Sequence, residues 1–177
     1  MNIFFLSWNY DECARLYCDQ HVVKIILEIA QMLYTAHWTM SDDGWNTDAP
    51  FTKNKKTRGY KSAHPKHPMT LWVGNCRENY MWTVKFGMAL ACEHNKRFGT
   101  VHGCCDHLLW LFNNPPDSFA NGNSVTARYA TEGYPRNLSP PPMCMPSQYH
   151  ADNVVLAYQN YYRGDKLRFA RWKIVPV

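Results

Sequence analysis

Between Asp11 and Trp38 the apolar residues recur every three or four positions. Val22, Ile25 or Ile26, Ile29, Leu33 and Ala36 fall on one stripe, and this spacing predicts an amphipathic helix with Asn9 or Asp11 as its N-cap. Ahead of it, Ile3 to Leu6 reads as a buried, extended segment. Residues 41–69 break the helical pattern with Ser-Asp-Asp-Gly, Pro50, Gly59 and two His-Pro steps, and read as an irregular loop. Periodicity returns from about Thr70, through Leu71, Tyr80, Val84, Met88 and Ala91, to Phe98, with Gly99 as the stop. A shorter helix is predicted over about 102–113, closed by Asn113-Asn114-Pro115-Pro116. Residues 115–150 hold seven of the eleven prolines and little periodicity, a long irregular excursion. The last predicted helix covers Val154 to Tyr162, and Gly164 breaks or bends it. The expected fold is mainly α: a compact helical bundle with a long Pro-rich loop, one domain over residues 1–177.

A second stripe runs along the first long helix. His21, Lys24, Glu28, Gln31 and Thr35 are spaced 3, 4, 3 and 4 apart, so they share one face. Two readings compete. The stripe is the wet face of an amphipathic helix, with Lys24 and Glu28 a simple i,i+4 pair. Alternatively Glu28, flanked by Ile25, Leu27 and Ile29, is partly desolvated and suited to acid–base work or to stabilising a cation.

Charge sharpens the second reading. The formal net charge of +5 is unevenly distributed. Residues 1–52 hold only Arg15 and Lys24 against seven acids. Residues 53–67 hold Lys53, Lys55, Lys56, Arg58, Lys61 and Lys66 without an acid. The tail carries Arg163, Lys166, Arg168, Arg171 and Lys173, interleaved with Tyr158, Tyr161, Tyr162, Phe169 and Trp172. Cations attract phosphates and rings stack on bases, so the partner this pattern suits is a nucleic acid. Aromatics are 15% of the chain, more than a small core requires. No apolar run has the length of a membrane helix. Seven cysteines without a secretory signal read as reduced thiols in an intracellular setting, the cytoplasm or nucleus of a host cell.

The triplet Asp19-Gln20-His21, with Glu28 seven residues beyond the histidine, resembles the start of the first helix in the phage-type pyrimidine-dimer DNA glycosylases, the endonuclease V group. Cys18-Asp19, the step His67-Pro68 leading to Leu71-Trp72, and the tail Tyr161-Tyr162-Arg163-Gly164 are similar to the wider family. The likeness is firm over residues 18–31, patchy over 64–82 and loose in the tail. It implies an all-α enzyme without metal or cofactor that flips nucleotides out around a cyclobutane dimer. In that family the α-amine of the mature N-terminus attacks the sugar C1′ to form an imine, and β-elimination cuts the strand. The resemblance puts Glu28 at the cationic sugar. It gives the nucleophile to the amine of Met1 or Asn2, with Lys24 as the substitute, and sets His21 beside them. Arg15, Gln20, Lys61, His64, His67, Tyr161, Tyr162, Arg163, Lys166, Arg168 and Trp172 are then the expected DNA contacts.

Two other readings remain. One is a non-catalytic nucleic-acid-binding protein that grips phosphates through 53–67 and 163–173. The other is a zinc-dependent nucleotide or base-processing enzyme. It would draw on His102, Cys104, Cys105 and His107, with Cys13, Cys18 and His21 or His64 and His67 as further ligand candidates.

Overall fold

The computed structural model describes residues 1–119, 135 and 137–174. Its α-helices are α1 (Tyr10–Leu16), α2 (Asp19–Met40), α3 (Pro68–Asn75), α4 (Arg77–Phe98), α5 (Cys105–Asn113) and α6 (Val154–Tyr161). A π-turn over Tyr162–Lys166 carries the chain past Gly164. Residues 41–67 form the expected irregular loop. Among the described residues the only β pairing is one antiparallel bridge, Phe51 with Arg58. Of the Pro-rich excursion, residues 120–134 and 136 lie outside the described residues. The remainder contains two short 3-10 turns, Asp117–Phe119 and Ser147–Tyr149. No described helix is long and apolar enough to cross a membrane.

Two predicted helices are each split. Tyr17 and Cys18 take extended backbone (ψ 136 and 160), which separates α1 from α2. Cys76 does the same between α3 and α4 (φ −152, ψ 162). Periodicity hides both breaks because the pieces on either side keep facing one core. Side chains from elsewhere take up the carbonyls freed at these breaks. Asn79 donates to the Trp72 carbonyl at 2.8 Å, and Arg97 serves the end of α1. Asn9 caps α1 by accepting from Glu12 N–H at 2.9 Å, and Gly99 ends α4 in the left-handed region at φ 68.

The 22-residue α2 is the central element. Ile26, Ile29, Met32 and Leu33 are fully buried in a core shared with Phe86 and Leu90 of α4 and Leu108 and Leu111 of α5. Gly87 sits where three helices converge. A Cβ there would stand 2.9 Å from Ile29 Cγ2 and 3.0 Å from Leu108 Cδ2, so the packing requires a glycine.

Ile3 to Leu6 is buried, as expected, and pairs with no strand among the described residues. The Leu6 N–H turns back to the Phe4 carbonyl at 2.9 Å, and side chains supply further hydrogen bonds. The Tyr17 hydroxyl accepts from Phe4 N–H at 2.6 Å and donates to the Phe4 carbonyl at 2.9 Å. Gln159 donates to the Leu6 carbonyl at 2.9 Å. Phe5 packs among Trp8, Trp72, Trp82 and Tyr158, while Phe4 stacks on His21 with ring centres 4.7 Å apart. Much of the aromatic excess is therefore a cradle for the N-terminal segment.

Two buried histidines make the fold sensitive to acid. His37 stacks on Trp45 and bonds Tyr80 Oη at 3.0 Å. Burial lowers it to about 4. Burial, then Lys166 and Lys24, lowers His21 to about 4 as well. In the unfolded chain each takes up a proton below about pH 6.5, so the unfolded state binds more protons between pH 6.5 and about 4. Stability must fall as pH drops through that window. Urea titrations at pH 7 and 4.5 are expected to differ by about 2 kcal/mol per imidazole. A His37→Gln variant should show a shallower pH slope, whatever its absolute stability.

Candidate active site

The polar stripe on α2 is not a wet face. His21, Glu28 and Thr35 are buried, Gln31 is half-buried, and Lys24 is exposed. Two segments dock along this line. The loop after Met40 runs back along α2. Trp38 Nε1 donates to the Tyr60 carbonyl, and the Ala63 N–H donates to Thr35 Oγ1 at 3.0 Å. It continues through His64 to His67, where α3 begins. The N-terminal segment arrives from the other side and ends at Glu28.

Glu28 joins three of the expected residues. Its Oε2 accepts from the Asn2 N–H at 3.0 Å and lies 3.8 Å from the Met1 α-amine. Its Oε1 lies 3.4 Å from Lys24 Nζ. The carboxylate side chain is 12% exposed and Lys24 is 70% exposed, so the α-amine stands on the sheltered side and the lysine in solvent. Asn2 is pinned all round. Its Nδ2 donates to the Cys144 carbonyl at 2.9 Å, and its Oδ1 accepts from Ile3 N–H at 2.9 Å and from the Tyr158 hydroxyl at 3.2 Å. Thr70 of α3 reaches Met1 Sδ at 3.5 Å. The buried N-terminal segment thus brings the amine to the carboxylate.

His21 supports this arrangement from behind. The Tyr162 hydroxyl accepts from Cys18 N–H at 2.8 Å and so directs its own proton at His21 Nδ1, 2.7 Å away. His21 Nδ1 is then an acceptor, and the neutral ring backs Phe4. His21 packs against the N-terminal segment through Phe4, and burial lowers its basicity. Tyr162 is likewise buried, with its hydroxyl committed, so it offers no ring to a base. Its expected DNA contact is replaced by this internal role.

The remaining expected contacts divide by exposure. Arg15, Lys61, His64, Arg163 and Arg168 are exposed, and His64 occupies the left-handed region at φ 48. Lys166 lies 4.4 Å over the half-buried Tyr161 ring and pairs with Asp165. Gln20 is used structurally, donating to the Phe169 carbonyl at 3.0 Å. Trp172 Nε1 donates to the Leu16 carbonyl at 3.4 Å, and Asp19 bonds backbone on both sides of it, at Arg171 O and Lys173 N. Asp19 and Gln20 therefore strap the basic tail to the start of α2. His67 is half-buried and caps α3, with Nδ1 accepting from Met69 N–H at 3.2 Å.

The histidine–cysteine clusters have other partners. His102 Nδ1 accepts from Cys104 N–H, and His107 Nδ1 bonds Tyr34 Oη at 2.8 Å. Among the described residues no three His, Cys, Asp or Glu side chains are grouped to hold a metal ion. All seven cysteines are free thiols.

Sequence reasoning missed Arg97 altogether. Its side chain is fully buried, bonding Glu93 Oε1 (2.7 Å), Asp19 Oδ1 (3.0 Å) and the carbonyls of Tyr17 (2.7 Å), Arg15 (2.9 Å) and Ala14 (3.4 Å). The one available signal was the i,i+4 spacing of Glu93 and Arg97, which is common on exposed helices. No family model matches the chain, and no curated protein or solved structure matches it either.

Proposed function

We propose that this protein is a DNA glycosylase with AP-lyase activity, acting on pyrimidine dimers through the α-amine of its first residue and Glu28. The observation that carries the reading is the meeting of that amine, the Asn2 N–H and Lys24 on one sheltered carboxylate, 26 residues away from Asn2 in sequence. An α-amine suits imine chemistry because its class loses its proton near pH 8, well below lysines. Lys24 lacks the burial that makes a lysine nucleophilic. The likeness over residues 18–31 to the endonuclease V group supports the same assignment. So do the exposed cations of the loop that leads from Lys61 to the site, which suit a phosphate backbone.

The test is borohydride trapping on two duplexes, one with a single cyclobutane thymine dimer and one with an abasic site. A covalent adduct is expected on both. Peptide mapping should place it at the N-terminal residue, and the intact mass tells whether that is Met1 or Asn2. An adduct on Lys24 would move the nucleophile. Salt-sensitive binding to both duplexes without any adduct would favour a non-catalytic DNA-binding protein.

A further inference from the structure

A carboxylate accepts hydrogen bonds and does not donate them, so until Glu28 takes up a proton from the attacking amine it offers nothing to the departing base. A neutral donor stabilises the leaving charge while the bond breaks, and the start of α3 holds a candidate. Thr70 and His67 are three residues apart at the start of this helix and so lie on one face. Thr70 touches Met1 Sδ, which turns that face toward the N-terminus. Burial, then the α-amine and His64, lowers the basicity of the His67 ring, while Glu28 raises it. At neutral pH the ring carries one proton. Nδ1 is occupied in accepting from Met69 N–H, so that proton is on Nε2.

We propose that His67 Nε2–H is the hydrogen-bond donor to the carbonyl oxygen of the departing pyrimidine. This rests on the glycosylase reading above. The amine nitrogen forms its bond to C1′, the C1′–N bond breaks, and its electron pair leaves with the base. One of the amine's two protons ends on the base and the other on the ring oxygen as the sugar opens to the imine, with Glu28 carrying them. His67 keeps its proton throughout and stabilises the charge that gathers on the leaving base.

Two variants separate the functions of the imidazole. In His67→Asn the short amide keeps the acceptor that caps α3 and loses the distal donor. In His67→Gln the longer amide reaches about where Nε2 stands. On the dimer duplex, His67→Asn is expected to slow glycosidic cleavage by about 10- to 100-fold, and His67→Gln should recover part of that loss. On the abasic duplex, where no base departs, both variants should slow trapping far less than they slow cleavage of the dimer. Equal slowing on both duplexes would make His67 a phosphate or structural contact and overturn the proposal, as would unchanged rates on both or a glutamine variant as slow as asparagine. Wild-type protein that traps the abasic duplex but leaves the dimer intact also overturns it, since no pyrimidine then departs. Wild-type protein inert on both overturns the glycosylase reading itself.

Discussion

Glu28→Gln is expected to lower adduct formation on the dimer duplex by at least 100-fold while leaving duplex affinity within about threefold. Glutamine has the same size, and its Oε1 still accepts from the Asn2 N–H, so the N-terminal segment stays in place. What disappears is the charge. The amide can neither take a proton from the attacking amine nor stabilise positive charge growing on the sugar. The side chain is mostly shielded from water, so the loss is felt at low dielectric, where one carboxylate counts for more than on the surface. Single-turnover trapping measures the first effect, and equilibrium binding to the same duplex measures the second. Lys24→Met is the companion variant. It removes a solvent-exposed cation on the far oxygen and should cost no more than about tenfold. If Glu28→Gln traps at the wild-type rate, the carboxylate has no part in the chemistry. If Lys24→Met abolishes trapping, the lysine is the nucleophile.

The sequence showed Glu28 and its neighbours because helical spacing is a local property. His21, Lys24 and Glu28 share a face for the same reason that Val22, Ile26 and Ile29 share another. It did not show that the face is covered. That depends on the loop from Tyr60 to His67 and on the N-terminal segment, both joined to α2 by hydrogen bonds between residues far apart in the chain. The helix breaks at Tyr17-Cys18 and Cys76 were hidden for a related reason. Cysteine and tyrosine carry no turn signal, and it is Arg97 and Asn79, from another helix turn or another helix, that make the breaks tolerable. Tyr162 illustrates the converse error. A tyrosine among cations reads as a stacking platform, but its hydroxyl closes a buried chain from Cys18 N–H to His21. Composition could not tell these uses apart, because burial is settled by tertiary contacts.

Arg97→Ala is expected to destabilise the protein by about 3–5 kcal/mol, the largest stability effect of any polar side chain described. Among the described residues the guanidinium is the one charged partner of Glu93, whose side chain is 7% exposed, and it is bound to Asp19 as well. It also donates to three carbonyls at the end of α1, those of Ala14, Arg15 and Tyr17, of which the Ala14 carbonyl also accepts from the Tyr17 N–H. Removing it strands a buried carboxylate together with the carbonyls of Arg15 and Tyr17, and each unsatisfied group adds its own desolvation cost. Lysine cannot substitute, since one ammonium has three donors where the fork of Arg97 serves five acceptors. Arg97→Lys should therefore recover less than half of the loss. Replacing both members, as Arg97→Met with Glu93→Leu, removes the stranded charge and should be milder than Arg97→Ala alone. Urea unfolding of wild type, Arg97→Met, Glu93→Leu and the double variant closes the cycle. The consequence extends to the site, because Asp19 straps the tail and the Tyr17 hydroxyl holds Phe4. Arg97→Ala protein that is still folded at low temperature should trap abasic DNA more slowly than wild type. A variant that keeps wild-type stability would mean that water can enter the junction and replace the guanidinium.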